Sequence, residues 1–89
     1  MAAKQVFYEG HVQGVGFRYA TKREAMGFDV CGWVKNLNDG RVEMQVMGDD
    51  EEVDDFLLAV REGQLSGNIQ GEEIHDIDEL EDVIGFSIR

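Results

Sequence analysis

Apolar residues recur along the chain at spacings that predict alternating strands and helices. Residues 4–11 form the first predicted strand, because Val6, Phe7 and Tyr8 favour extended backbone. Residues 18–27 form a predicted helix, which ends where Gly27 precedes Phe28. Side chains at spacings of four, four and three positions predict its buried face: Phe17, Thr21, Ala25 and Phe28.

The middle of the chain predicts a β-hairpin. Residues 30–37 and 41–47 are the strands, and residues 38–40 between them, Asn-Asp-Gly, are a turn sequence. The Val42, Met44 and Val46 side chains share one face, which we expect to be the core face. By parity Asn36 lies on the same side as Val34, at the end of its strand. That asparagine either caps the turn or is aimed into a pocket at the edge of the sheet, and the pattern leaves both open.

A second helix is predicted over residues 50–62, where Val53, Phe56, Leu57 and Val60 follow the helical repeat. Asp49 and Glu52 before and within its first turn resemble a capping box. Residues 63–71 contain three glycines and are predicted to be a loop. A fourth strand is expected at 74–77 and a short last strand at 84–88.

This order predicts an α+β fold of the ferredoxin-like βαββαβ type, with an antiparallel sheet and two helices on one face. We expect a single domain over residues 1–89. Cys31 and Trp33 would lie on the other face of the sheet, where we expect Trp33 to have a packing role.

The net charge of −11 is concentrated in the second half of the chain. Residues 1–41 carry six Lys or Arg and four Asp or Glu, whereas residues 42–89 carry two and fifteen. Such acidity disfavours binding to nucleic acid or to an anionic membrane. The sequence contains no apolar run long enough to span a bilayer, no secretory signal, and a single cysteine. We expect a cytoplasmic monomer.

A glycine-rich stretch, residues 10–18, joins the first strand to the first helix. Gly10, Gly14 and Gly16 fall within it, and Arg18 closes it. Glycines in a strand-to-helix loop let backbone N–H groups approach an anion closely, and an arginine can grip two oxygens of a phosphate. The stretch is either a simple turn or an oxyanion site, and Arg18 favours the second.

The two histidines of the chain are weak candidates for functional groups. His11 has no acidic or cysteine partner nearby in sequence, which disfavours a catalytic role. His75 and Asp76 resemble half of a metal site, but the spacing of the following acids is wrong for ligands. We therefore expect no metal site.

Two segments resemble the signatures of the acylphosphatase family. The first is Gly10-x-Val12-Gln13-Gly14-Val15-x-Phe17-Arg18. The second runs from Gly32-Trp33-Val34-Lys35-Asn36 through Gly40-x-Val42 to Gly48. The family's fold agrees with the predicted order of elements.

The resemblance implies an enzyme that hydrolyses acyl phosphates to carboxylate and inorganic phosphate without a cofactor. Arg18 would bind the phosphate and Asn36 would position the attacking water. Backbone donors would come from the loop formed by Gln13, Gly14, Val15, Gly16 and Phe17. The carboxylic acid of the leaving group has a pKa of about 4, so the reaction needs no general acid. Phosphoryl transfer depends mainly on positioning and charge.

Three other functions remain as alternatives. An RNA-binding module of this topology needs a basic surface and exposed aromatic residues, which the sequence lacks. A regulatory domain would retain the phosphate loop without turnover, although Arg18 and Asn36 are both present. A larger maturation enzyme with such a domain at its N-terminus would continue into cysteine-rich zinc motifs, which are absent here.

Overall fold

The computed structural model describes residues 1–89 and contains one five-stranded sheet with two helices. The strands lie in the order β4-β1-β3-β2-β5. In chain order the elements are β1 (Ala2–Gly10), α1 (Phe17–Ala25), β2 (Val30–Asn36), β3 (Val42–Gly48), α2 (Asp50–Arg61), a 3₁₀ turn (Ser66–Asn68), β4 (Ile69–Asp76) and β5 (Phe86–Ile88). The first four strands confirm the ferredoxin-like arrangement.

The fifth strand makes the sheet mixed, so the expectation of an antiparallel sheet is wrong at one edge. β5 pairs in parallel with β2, and Phe86 lies opposite Gly32. Because β4 and β5 occupy opposite edges, residues 77–85 must cross the sheet to connect them. The side chain of Phe86 packs against the core, and this burial stabilises the short strand at the edge of β2.

β4 runs from Ile69 to Asp76, so the prediction of a fourth strand at 74–77 is confirmed for residues 74–76, whereas the prediction that the loop extends to residue 71 is wrong. The polar, glycine-containing start of β4 is extended because it pairs with β1, where Glu9 lies opposite Gly71. Backbone pairing is indifferent to side chains, and the free edge of β1 supplies the partner that local sequence does not reveal.

The core lies between the sheet and the two helices. The predicted face of α1 is confirmed, since Phe17, Thr21 and Ala25 are buried and Phe28 packs against the core. The Thr21 hydroxyl donates to the carbonyl of Phe17 across 2.9 Å. The buried cluster consists of Val6, Tyr8, Val12, Phe17, Ala25, Val34, Val42, Met44, Val46, Val53, Phe56, Leu57 and Val60.

The predicted capping box at α2 does not form. Asp49 occupies the N-cap position but makes no capping hydrogen bond with its side chain. Glu52 instead accepts a hydrogen bond at 2.7 Å from the backbone N–H of Asp29, in the turn after α1. The carboxylate is therefore used to join α2 to the start of β2 rather than to close its own helix.

Trp33 lies on the face of the sheet away from the helices and packs there, as expected. Only 7% of it is exposed, and it stands outside the main core cluster. The Arg89 guanidinium lies 4.8 Å from its ring centre and the Lys35 amine 5.3 Å. These cation–π contacts fix the end of the chain against β2.

Neither helix is long and apolar enough to cross a membrane.

Candidate active site

The loop between β1 and α1 has a backbone that requires glycine at two positions. Gly14 and Gly16 have φ angles of 75° and 79°, and Gly16 is the N-cap residue of α1. A Cβ at either position would meet no atom within 4 Å, so the left-handed φ, rather than lack of space, selects glycine. The prediction that glycines set the backbone conformation of this loop is therefore confirmed for Gly14 and Gly16.

This loop leaves a series of backbone donors free. The N–H groups of residues 12–16 donate no hydrogen bond within the protein, and the first helical bond runs from the Ala20 N–H to the Gly16 carbonyl. The opening turn of a helix also carries unpaired N–H groups and the positive end of the helix dipole. The segment can therefore bind an anion through its backbone.

A pocket of about 220 Å³ lies beside this loop and brings together residues from three parts of the chain. Asn36 reaches it from the end of β2, and Ile88 from β5. No carboxylate lines it. Its walls are Val12, Gly14, Gly16, Phe17, Arg18, Tyr19, Asn36 and Ile88.

Arg18 stands in the first turn of α1, where its guanidinium is held by Arg89, the residue that follows β5. Its Nη1 donates to the main-chain oxygen of Arg89 across 3.1 Å, and it forms no ion pair with an Asp or Glu side chain. Arg89 is itself fixed, because its N–H donates to the Val34 carbonyl across 2.8 Å. A guanidinium has five N–H donors, so most of them remain available to an anion.

Asn36 lines the pocket, and its amide oxygen is buried and has no hydrogen-bond partner. Another residue stabilises the hairpin turn, since the carboxylate of Asp39 accepts from the Arg41 backbone N–H at 3.0 Å and from its Nε at 2.8 Å. Those two donors lower the pKa of Asp39. The structure therefore favours the hypothesis that Asn36 faces a pocket at the edge of the sheet over the hypothesis that it caps the turn.

The remaining residues of the predicted phosphate loop divide into two groups. Gly14, Gly16 and Phe17 line the pocket with Arg18, whereas Gln13 and Val15 do not. The Gln13 amide instead donates to the backbone carbonyls of Leu37 at 2.7 Å and Arg41 at 2.8 Å. Val15 packs against the core and lines a neighbouring groove. For these two, a role as backbone donors stays a prediction.

Sequence reasoning missed four residues at the site. Val12 and Tyr19 flank predicted site residues, so their positions beside the loop could have suggested them. Ile88 and Arg89 had no such signal, because they reach the site only through the parallel pairing of β5 with β2.

The histidines lie outside the pocket. His11 is exposed and is joined to Asn68 through its backbone, which donates from N–H and accepts at the carbonyl, both at 3.0 Å. His75 contacts Glu73 at 2.6 Å, and Asp76 pairs with Lys4. No group of three or more His, Cys, Asp or Glu side chains is arranged to hold a metal ion.

Known proteins are similar to this chain in sequence and in fold. A family model described as Acylphosphatase matches residues 4–88. An acylphosphatase of Archaeoglobus fulgidus is 40% identical over 88 residues, which cover 99% of this chain and 98% of that protein. The crystal structure of acylphosphatase from Bacillus subtilis matches with a TM-score of 0.90 and 36% identity, over 100% of this chain and 99% of that one. Full-length HypF, solved in a phosphate- and nucleotide-bound form, matches with a TM-score of 0.85 and 26% identity, over 99% of this chain and 12% of HypF.

The fold and pocket define a ferredoxin-like α+β protein that presents a guanidinium beside a glycine-rich loop with free backbone N–H groups. The chain belongs to the acylphosphatase family. It is therefore a hydrolase, and the family implies small-molecule acyl phosphates as its substrates.

Proposed function

We propose that the pocket binds the phosphoryl group of an acyl phosphate between the backbone of residues 13–17 and the side chain of Arg18. One observation carries this proposal: Arg18 and Asn36 line one pocket together with the loop whose backbone N–H groups are free. An anion placed there meets donors from a side chain and from the opening of a helix, and both are suited to phosphate oxygens.

Asn36 orients the attacking water. Its side chain lines the pocket, and an amide can accept a hydrogen bond from a water O–H or donate one to a water oxygen. The water oxygen forms a bond to phosphorus while the bond from phosphorus to the acyl oxygen breaks. The bonding electrons leave with the carboxylate, and the proton of the water passes to the phosphate product or to solvent.

The reaction needs no acid group from the protein, because a carboxylic acid with a pKa of about 4 is a good leaving group at neutral pH. What the protein supplies is positioning together with stabilisation of charge on the transferring oxygens. Arg18 and the loop N–H groups serve both purposes. The uncharged Asn36 amide lets the water approach without repelling the phosphate.

We further propose that hydrolysis is independent of metal ions. The pocket lining contains no carboxylate, imidazole or thiolate, which are the side chains that bind catalytic metals. We expect the protein to act as a monomer. The product phosphate should bind in the same loop and inhibit competitively.

Hydrolysis of benzoyl phosphate, followed at a series of inorganic phosphate concentrations with and without EDTA, tests this function. We expect turnover that EDTA leaves unchanged and competitive inhibition by phosphate. A rate that collapses with EDTA and returns with Mg²⁺ or Zn²⁺ would refute metal independence. Phosphate binding without any turnover would instead identify a regulatory domain that keeps the loop without the chemistry.

An RNA-binding role is not favoured by the open face of the sheet. Stacking on bases requires exposed aromatic rings. Here Trp33 is covered by Arg89 and Lys35, and the Phe7 ring lies 4.7 Å from the Arg41 guanidinium. The aromatic side chains of this face are already in contact with the protein's own cations.

A further inference from the structure

A groove adjoins the phosphate pocket along α1. We call it the α1 groove; it has a volume of about 300 Å³ and meets the pocket at Gly16 and Tyr19, which line both. Arg18 and Asn36 do not line it. Its full lining is Val15, Gly16, Tyr19, Ala20, Arg23, Gln64 and Leu65.

The walls of the α1 groove are largely apolar and carry no acidic residue, although the protein has a net charge of −11. Val15 and Leu65 pack against the core, so they form a fixed floor. Tyr19 is 64% exposed, which leaves much of this large side chain free to contact a ligand. An apolar group bound here would gain contact with aliphatic and aromatic surface without meeting a negative charge.

The geometry of phosphoryl transfer places the acyl group of the substrate away from Asn36. In the proposed reaction, on which this inference rests, water is held by Asn36, and the attacking and leaving oxygens lie roughly in line through phosphorus. The acyl group therefore leaves on the side opposite the water. The α1 groove is a recess that adjoins the pocket but does not include Asn36.

A second recess near the pocket is less suitable for an acyl group. It is lined by polar residues, among them His11, Asp39 and Arg41, and it shares only Val12 with the phosphate pocket. Val12 is a core residue with 1% exposure. The Gln13 amide, bonded to the carbonyls of Leu37 and Arg41, closes the loop onto the hairpin at this side.

We propose that the α1 groove binds the acyl group of the substrate, and that Tyr19 and Leu65 make the enzyme selective for apolar and aromatic acyl phosphates. The groove continues into a recess of about 190 Å³ between α1 and α2, with which it shares Ala20, Arg23, Gln64 and Leu65. For acyl groups larger than acetyl, that recess adds the apolar side chains of Phe17 and Val60, and its lining also includes Glu24.

The test compares kcat/KM for benzoyl phosphate with kcat/KM for acetyl phosphate in each variant. The ratio cancels any change that acts on the phosphoryl group, which matters because Tyr19 also lines the phosphate pocket. We expect Tyr19→Ala to lower the benzoyl-to-acetyl ratio about fivefold or more, the scale of a lost aromatic contact. Leu65→Ala should lower it in the same direction. Tyr19→Phe should preserve it, because the ring remains.

Met26→Ala is the matched control, since Met26 is an exposed apolar residue just beyond the end of α1 and lines none of these recesses. The ratio should be unchanged in it. A benzoyl-to-acetyl ratio that stays at the wild-type value in both Tyr19→Ala and Leu65→Ala would overturn the proposal. An equal fall in Met26→Ala would also overturn it.

Binding of two non-hydrolysable analogues separates this proposal from the proposed reaction. Calorimetry would measure the Kd values of benzoylphosphonate and acetylphosphonate, whose carbon–phosphorus bonds water does not cleave. We expect wild type to bind benzoylphosphonate more tightly, and Tyr19→Ala to lose at least fivefold of that preference. If neither acyl phosphate is hydrolysed, the proposed function fails, while the phosphonate preference still decides the role of the groove. No preference in wild type would refute that role.

Discussion

The side-chain amide of Gln13 donates a hydrogen bond across 2.7 Å to the backbone carbonyl of Leu37, the residue that follows Asn36 in the chain. The same nitrogen donates to the carbonyl of Arg41 at 2.8 Å. One side chain thus joins the glycine-rich loop to both ends of the hairpin turn. The relative position of Arg18 and Asn36 depends on this connection, because Arg18 follows the loop and Asn36 ends the first strand of the hairpin.

We predict that Gln13→Ala lowers both stability and activity. Loss of two hydrogen bonds to partly buried carbonyls should reduce the free energy of unfolding by about 1–3 kcal/mol. The loosened loop should reduce kcat/KM about tenfold or more, since small displacements at a positioned site are costly. Urea unfolding and benzoyl phosphate kinetics measure the two effects. Gln13→Glu should be no better, because a carboxylate cannot donate to carbonyls; full activity in either variant would contradict a positioning role.

Replacement of Arg18 should impair both phosphate binding and turnover. The phosphate is anionic before and during the reaction, so Arg18→Ala should raise the Ki of inorganic phosphate and lower kcat by roughly 10³ or more, the scale for an arginine at a transferring phosphoryl group. Arg18→Lys should remain badly impaired, because an ammonium does not reproduce the planar fork. Near-wild-type kinetics in the lysine variant would show that only the charge matters.

Replacement of Asn36 should separate catalysis from phosphate binding. If the amide orients water, Asn36→Ala lowers kcat steeply and leaves the Ki of phosphate nearly unchanged. Thermal melting must show that the variant is folded, because the last residue of β2 also pairs with Val42 in the hairpin. If Asn36→Ala weakens phosphate inhibition as fully as Arg18→Ala does, Asn36 is a phosphate ligand and the assignment of the water is wrong.

Tyr8 should limit stability at alkaline pH. Its hydroxyl is buried without a partner, and burial, with a smaller contribution from the charge of Glu72, raises the pKa of the phenol. In the unfolded chain the phenol ionises at about pH 10, below the pH at which it ionises in the folded protein. Its stabilising effect is therefore complete below pH 10 and is lost as the pH rises above it, by up to about 1.4 kcal/mol per pH unit.

Urea unfolding of wild type and Tyr8→Phe between pH 7 and 11 checks this effect. At pH 7 we expect the phenylalanine variant to be about as stable as wild type or slightly more so, because an unpaired hydroxyl is removed while the ring contact with Phe17, 5.0 Å between centroids, remains. Above pH 10 its stability should fall less steeply. Tyr19→Phe, at an exposed position, is the control, and parallel curves for all three proteins would contradict the prediction.

Salt should stabilise the fold. The net charge of −11 includes five acids in the first six positions of α2, and these like charges repel one another. Sodium chloride at roughly 0.1–0.5 M screens such repulsion between exposed groups. We expect the melting temperature to rise across that range at constant pH. A flat or falling melting temperature would mean that the acidic surface costs the native state nothing.

Local patterns in the sequence determined the helices, the hairpin and the backbone conformation of the glycine-rich loop. Helical spacing identified Phe17, Thr21 and Ala25 as buried, and alternation assigned Val42, Met44 and Val46 to the core. These inferences succeed because a helix or a strand repeats its geometry within a few residues, so one buried face is visible in the order of the side chains. The φ angles of Gly14 and Gly16 are likewise a local property of the chain.

Only the tertiary structure decided the contacts that join distant segments. Glu52 could have capped its own helix, but the backbone of Asp29 lay within its reach. Gln13 could have pointed at the ligand, but it donates to Leu37 and Arg41. β4 starts at Ile69 because its first residues pair with the free edge of β1. β5 pairs with the free edge of β2, and this pairing brings Ile88 and Arg89 to Arg18. Pairing of this kind depends on which edges remain open once the sheet has formed, and no local pattern of side chains contains that information.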